Sequence, residues 1–314
     1  MNTKRMFVSG LMNVETNVKI KGFPIPYYPI DYPFFGIHSN ISGVGVNVAG
    51  ALKTLHNEVY IMSMIGEDDN GARILAYLKK KGYPTELVAT VLKETPVSVN
   101  LYEESGKRQI YCDLKDIQET PYPMNEAAFG EMIANFDLAI MCNTNFNRPF
   151  LKVAKEKKIP IATDVHVLSR VDDDYNRDFL QYADLLFLSD EGLSCDEVSF
   201  IRQIAKVYHN KVIVMGRGER GAMLYTENEN CIYALDAVKP ERIINTAGAG
   251  DALFSSFLYF YSMGITPLEA LWKAQVFASH KIGVNGASEG FLEPEDIEWL
   301  YDAKKETFIT NIIR

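Results

Sequence analysis

The chain is expected to fold as a mostly parallel β-sheet covered by helices on both faces, an α/β architecture of three layers, with a small second β-sheet beside it. Three observations point there. Short apolar runs alternate with amphipathic stretches through most of the sequence, as they do when buried parallel strands are joined by helices. Two extended segments, 14–41 and 95–112, break that rhythm. With 314 residues, 47% of them apolar, the chain can also fill a large core.

Element by element, strands are expected at 6–10, 59–64, 138–142, 159–163, 185–188 and 211–215. Helices are expected at 46–55, 71–80, 125–135, 148–157, 197–208, 249–261 and 267–283. The first irregular segment alternates through Val18-Lys19-Ile20-Lys21 and continues into the aromatic, proline-rich Phe23-Pro24-Ile25-Pro26-Tyr27-Tyr28-Pro29. The second reads as a hairpin, with Val97-Ser98-Val99-Asn100-Leu101-Tyr102 returning through Glu104-Ser105-Gly106-Lys107 to Gln109-Ile110-Tyr111. Together, at about 14–41 and 92–116, they are expected to form a lid over a cleft, the plainer alternative being an edge hairpin without such a role. No internal repeat or linker divides the chain, so 1–314 is read as one domain.

A formal net charge of -9 argues against a nucleic-acid partner, which would demand clustered Lys and Arg. The cysteines, Cys112, Cys142, Cys195 and Cys231, are widely spaced and form no CxxC pair, which fits a reduced compartment better than a disulfide framework or a zinc site. No secretory core and no apolar run of roughly 18 residues is present, so a cytoplasmic protein without a membrane partner is expected. The histidines have no metal-ligand spacing.

The chemistry concentrates in Asn245-Thr246-Ala247-Gly248-Ala249-Gly250-Asp251, which leads into an apolar helix. Small residues let a turn approach a ligand, amides at a helix start point outward, and a carboxylate stands beside them, together an anion cradle with a base. Read alone, Asp251 would instead be a helix-capping carboxylate. A second turn, Ser42-Gly43-Val44-Gly45-Val46-Asn47, also precedes a helix, and Asn47 offers a donor and an acceptor suited to hydroxyls. A third, Gly216-Arg217-Gly218-Glu219-Arg220-Gly221, matches the dinucleotide pattern GxGxxG. The residues after Gly221 read as strand, turn and strand rather than the helix a dinucleotide site requires, so a nicotinamide oxidoreductase is a rival reading only.

In this order the SGVGVN, MIGEDDNG, RGERGA and NTAGAGD segments resemble the ribokinase-like PfkB family of carbohydrate and nucleoside kinases, over nearly the whole chain. The resemblance implies the ribokinase-like α/β/α fold with its β-lid, ATP as phosphate donor, and Mg²⁺ arriving with it. It implies that Asp251 is the base that takes the proton from an acceptor hydroxyl, and that the amides of Ala247, Gly248, Ala249 and Gly250 hold charge on the transferring phosphoryl group. Asn13, Glu15, Gly43 and Asn47 fall at acceptor positions, and Thr246, Gly218, Gly221 and Gln275 on the nucleotide side. Gln275 stands where an Asn is usual and is alternatively read as facing solvent.

Other departures are Glu15 for Asp, Ser42 for Gly, Asn245 for Asp, and Ser189 and Gly192 for the ends of an NxxE motif, with Asp190 and Glu191 keeping acidic groups nearby. A protein ligand for magnesium is therefore left unknown. Potassium near Asn245 and Gly286 is compatible with the resemblance, and His166 is read as a structural histidine. The implied acceptor is a small sugar first and a nucleoside second. The aromatic residues Phe23, Tyr27, Tyr28, Tyr32, Phe34 and Phe35 would either stack a base or form a lid-to-lid homodimer interface. A weakly active sugar-binding homologue is the remaining alternative.

Overall fold

The computed structural model describes residues 3–244, 246–284 and 289–313. Its strands are β1 (Arg5–Ser9), β2 (Asn13–Lys19), β3 (Ile37–Ser42), β4 (Glu58–Gly66), β5 (Val88–Leu92), β6 (Val97–Tyr102), β7 (Arg108–Asp113), β8 (Leu138–Met141), β9 (Ile161–Val167), β10 (Leu185–Ser189), β11 (Val212–Gly216), β12 (Ala222–Thr226), β13 (Cys231–Leu235) and β14 (Thr310–Ile313). Its helices are α1 (Val44–Thr54), α2 (Asp69–Lys80), α3 (Glu126–Ile133), α4 (Arg148–Glu156), α5 (Arg177–Tyr182), α6 (Glu197–Tyr208), α7 (Ala249–Ser262), α8 (Pro267–Lys281) and α9 (Pro294–Lys304).

Ten strands form one sheet in the order β14-β13-β12-β11-β10-β9-β8-β1-β4-β5. Pairing is parallel from β11 through β5 and antiparallel from β11 to β14. Successive residues in the central strands feed opposite cores, which explains their unbroken apolar runs. Met6 and Val8 pack into the layer made with α1, α2, α7, α8 and α9, while Phe7 packs with α3, α4, α5 and α6. The chain runs from β1 to β4 and β5 on one side, then resumes at β8 on the other side of β1. In such a sheet the carboxyl ends of the strands at the reversal open into a crevice.

The lid is a four-stranded sheet in the order β3-β2-β6-β7. Both irregular sequence segments contribute strands to it. Its second segment is shorter than 92–116, because Leu92 ends β5, which pairs with β4 at the edge of the main sheet. The aromatic, proline-rich stretch has no regular structure and loops between β2 and β3. Prolines withhold the amides that a strand ladder needs.

The sequence pattern missed β5, β14, α5 and α9. These are short or peripheral elements whose apolar stripe is weak.

Candidate functional site at the lid and the α7 cradle

Strand β1 ends at Ser9, and the chain turns through Gly10 and Leu11 into the lid. This turn is clamped against the start of α1, where the Gly45 amide donates to Leu11 O at 3.0 Å. A β-carbon on Gly43 would lie 2.4 Å from Leu11 O and 2.9 Å from Asn13 Oδ1, and its φ of 102° favours glycine besides. Gly43 therefore acts through its missing side chain, by letting two backbones meet.

From that turn, β2 projects Asn13, Glu15 and Asn17 on one face, and β6 places Ser98 and Asn100 beside them. All of them are buried and none is apolar. Asn13 Nδ2 donates to Ser98 Oγ at 2.6 Å, Asn17 Nδ2 to Glu15 Oε1 at 3.0 Å, and Asn100 Nδ2 to Asn17 Oδ1 at 2.8 Å. The Oδ1 atoms of Asn13 and Asn100 are buried without a hydrogen-bond partner among the described residues. Leaving buried acceptors unpaired is costly, and a ligand carrying hydroxyl donors would satisfy them.

Across the cleft, Gly248 adopts a left-handed φ of 78° and hands the chain to α7. The first regular rung of that helix is the Ala252 amide donating to Gly248 O at 2.9 Å, and the Ala249 amide reaches Thr246 O at 3.3 Å. Helix geometry supplies no intrahelical acceptor to the amides ahead of the first rung. A β-carbon on Gly250 would meet nothing within 4 Å, so the face of the turn is open. Asp251 comes next, and Asn47 Nδ2 of α1 donates to its Oδ2 at 2.7 Å.

Burial pushes the Asp251 carboxyl above the usual carboxylate range, with the Asn47 hydrogen bond opposing. His166 and Arg108 also favour its charge and Asp164 disfavours it. His166 is half-exposed rather than packed away, with Nδ1 3.6 Å from Asp164 Oδ2. Arg108 begins β7, on the same lid face as Asn100. The hairpin tip spans the cleft: a β-carbon on Gly106 would lie 4.0 Å from Thr246 Cγ2. The site at the crevice is therefore roofed by the lid, floored by the carboxyl ends of β1 and β8, and closed at its far side by the α7 turn.

At the third glycine turn, Gly216 ends β11, a short 3₁₀ turn covers 218–220, and β12 comes after it, which excludes the dinucleotide reading. Gly218 has a φ of 56° and open space around it, whereas a β-carbon on Gly221 would lie 2.0 Å from Leu235 O. Gly221 is therefore demanded by packing, whatever else it does. Gln275 is buried on α8, not solvent-facing, and its Nε2 has no partner among the described residues. Asp190, at the altered NxxE position, is tied to Arg220, which also donates to Glu197 Oε1 at 2.5 Å. Among the described residues no group of three or more His, Cys, Asp or Glu is gathered for a metal ion. Asn245, Gly286 and Ala287, and with them the potassium expectation, lie outside the described residues.

The model of the pfkB family carbohydrate kinases matches residues 25–294, most of the chain and all of the cradle. The chain belongs to that family. This pfkB kinase is an enzyme that transfers phosphate from ATP to an alcohol group, acting as a sugar or nucleoside kinase. It is 25% identical to the acarbose 7(IV)-phosphotransferase of an Actinoplanes species, over 84% of this chain and 87% of that protein. A microbiome-derived acarbose kinase superposes with a TM-score of 0.84 at 22% identity, covering 96% of this chain and all (100%) of the other. An Arabidopsis thaliana ribokinase complexed with ribose and ATP gives a TM-score of 0.78 at 20% identity, over 95% of this chain and 99% of the other. These two likenesses establish the ribokinase-like fold of the pfkB kinase.

The crevice also gathers polar residues that sequence reasoning passed over: Asn17, Ser98 and Asn100. The alternation of polar residues in Asn13-Val14-Glu15-Thr16-Asn17 and Ser98-Val99-Asn100 was the available signal, since an inward polar row on a strand announces a wet or ligand-facing surface. No helix among the described residues is long and apolar enough to cross a membrane.

Proposed function

We propose that this kinase phosphorylates a hydroxyl of a small sugar held beneath the lid, with Asp251 as the base and the 247–250 amides as the anion hole. The observation that carries the reading is the Asn47–Asp251 hydrogen bond of 2.7 Å, which joins the acceptor side of the cleft to the cradle. Asn13, Glu15 and Asn47 bind and orient the acceptor hydroxyls, and Gly43 lets the turn that bears them close. Asp251 takes the proton as the oxygen attacks, while the amides hold the negative charge on the phosphoryl group in flight. The lid excludes water, which would otherwise accept the phosphoryl group.

Thr246, Gly218, Gly221 and Gln275 flank the nucleotide. The open face at Gly250 and the buried Gln275 Nε2 suit a phosphate and a polar heterocycle respectively. Magnesium enters on the ATP phosphates, and no described residue is assigned to it. The enzyme works in the cytoplasm, where ATP is supplied and its free cysteines stay reduced.

A sugar is favoured over a nucleoside because the buried row Asn13, Glu15, Asn17, Ser98 and Asn100 offers amides, a hydroxyl and a carboxylate. The rings of the aromatic loop stand open to solvent, with Tyr27 88%, Phe34 85% and Phe35 95% exposed. We assign that loop instead to a homodimer contact through the lid.

The deciding experiment measures ADP release from ATP against ribose, fructose, larger glycosides, adenosine, inosine and cytidine. A sugar as the best acceptor by kcat/KM supports the reading. Selective turnover of a nucleoside replaces it with the second one.

A further inference from the structure

The polar row on the lid is connected to the cradle. Asn47 Nδ2 donates to Asp251, Asn47 Oδ1 accepts from Ser42 Oγ at 3.4 Å, and Ser42 pairs with Asn13 between β3 and β2. Glu15 and Asn17 follow Asn13 on the same face of β2, opposite Ser98 and Asn100 of β6. Asn13, Glu15, Asn17, Ser98 and Asn100 are each at most 8% exposed.

The hydrogen bonds of this row run in one direction. A carboxylate only accepts, so Asn17 must turn its Nδ2 to Glu15 Oε1, at 3.0 Å, and its Oδ1 the other way. That oxygen takes Asn100 Nδ2 at 2.8 Å, which leaves Asn100 Oδ1 as the open end of the chain. Asn13 turns its Nδ2 to Ser98 Oγ at 2.6 Å and likewise keeps an unpartnered Oδ1. Among the described residues, every buried side-chain polar atom of the row that lacks a partner is therefore an acceptor oxygen.

The one formal charge in the row is negative as well. Among the described residues the bond from Asn17 is the one made to the Glu15 carboxylate, and no cation is paired with it. Lys19 and Arg108, the lysine and arginine of the same face, both lie level with Tyr102, four residues on from Ser98 and so roughly 13 Å along the sheet. Lys19 is paired with Glu104 at 2.9 Å. His38, opposite Asn17 on the outermost strand β3, is exposed. A buried carboxylate without a cation and two carbonyl oxygens without donors are each costly, and one kind of ligand satisfies all three, a polyol that also carries positive charge.

We propose that the acceptor is an amino sugar, whose protonated amine sits on Glu15 while its hydroxyls donate to Asn13 Oδ1 and Asn100 Oδ1. An ammonium group donates and needs no donor in return, whereas a hydroxyl in its place also asks for one. The bond it makes to a carboxylate is roughly twice as strong as a neutral one, so the amine is what the row selects. The inference rests on the reading of this row as the acceptor side of a sugar kinase.

The test compares sugars that differ only in an amine for a hydroxyl: glucosamine against glucose, galactosamine against galactose, and 1-amino-1-deoxyfructose against fructose, with N-acetylglucosamine as an uncharged control. ADP release gives kcat/KM, and calorimetry without ATP gives binding. In the wild type at least one amino sugar is expected to exceed its hydroxyl counterpart by about ten-fold or more, with no such gain for the acetylated sugar. Glu15→Gln keeps the shape and removes the charge, so the amine-to-hydroxyl ratio should fall toward one, whatever the absolute rates. The wild-type comparison decides the matter even if the variant fails to fold.

A ratio that Glu15→Gln leaves unchanged overturns the proposal. If in every pair the hydroxyl sugar matches or exceeds its amino partner, this inference alone fails and the sugar-kinase reading holds. If only nucleosides are turned over, or no sugar at all, that reading fails and this inference with it.

Discussion

Asn47 on α1 donates to Asp251 on α7 at 2.7 Å, across 204 positions of sequence. The bond favours the ionised carboxylate, while burial favours the neutral acid. The balance sets the pH at which this carboxyl can serve as a base.

Replacing Asp251 by Asn should lower kcat by about 10² to 10⁴-fold, because a general base is lost while shape is kept. Acceptor binding, measured by calorimetry without ATP, should change little. Wild-type turnover by the Asn variant would refute the assignment.

The acid limb of the pH profile should lie above the ordinary carboxylate range, since the base must be deprotonated and burial raises its pKa. Asn47→Ala removes the donor that holds the pKa down. Its acid limb in kcat/KM should therefore move to higher pH. A limb that stays in place, or moves lower, contradicts the pairing.

Two glycines should respond oppositely to alanine. At Gly221, with φ of 91° and Leu235 O in the way, the substitution strains the backbone and should lower the thermal midpoint, at about 1–3 kcal/mol or more. At Gly250, where nothing lies within 4 Å, folding should be unaffected while the methyl group crowds the phosphoryl position. Differential scanning fluorimetry and ATP kinetics separate the two.

Glu15→Gln should raise the acceptor KM and leave the ATP KM unchanged, because Glu15 lies on the inner face of β2 with Asn13 and Asn17. Equal effects on both KM values would place it outside the acceptor site.

Serine at Tyr27, Phe34 and Phe35 together should leave acceptor KM intact and convert a dimer to a monomer in size-exclusion chromatography with light scattering. A raised acceptor KM with an unchanged mass would instead return these rings to the acceptor site.

Much of this arrangement was legible in the chain itself. Apolar runs such as Val212-Ile213-Val214-Met215 can be buried on both faces only in a covered sheet, so they announced the layered fold. The small residues before α7 were legible as a tight turn, and Gly248 takes the left-handed φ of 78° that such a turn uses.

Tertiary structure alone decided what local pattern cannot encode. It brought Asn47 to Asp251, gathered Asn13, Glu15, Asn17, Ser98 and Asn100 into one buried polar row, and left the aromatic loop exposed. Each of these depends on which distant elements become neighbours in the sheet and helix layers. Hydrophobic periodicity fixes which face of an element is buried, but the crossover connections decide what that face meets.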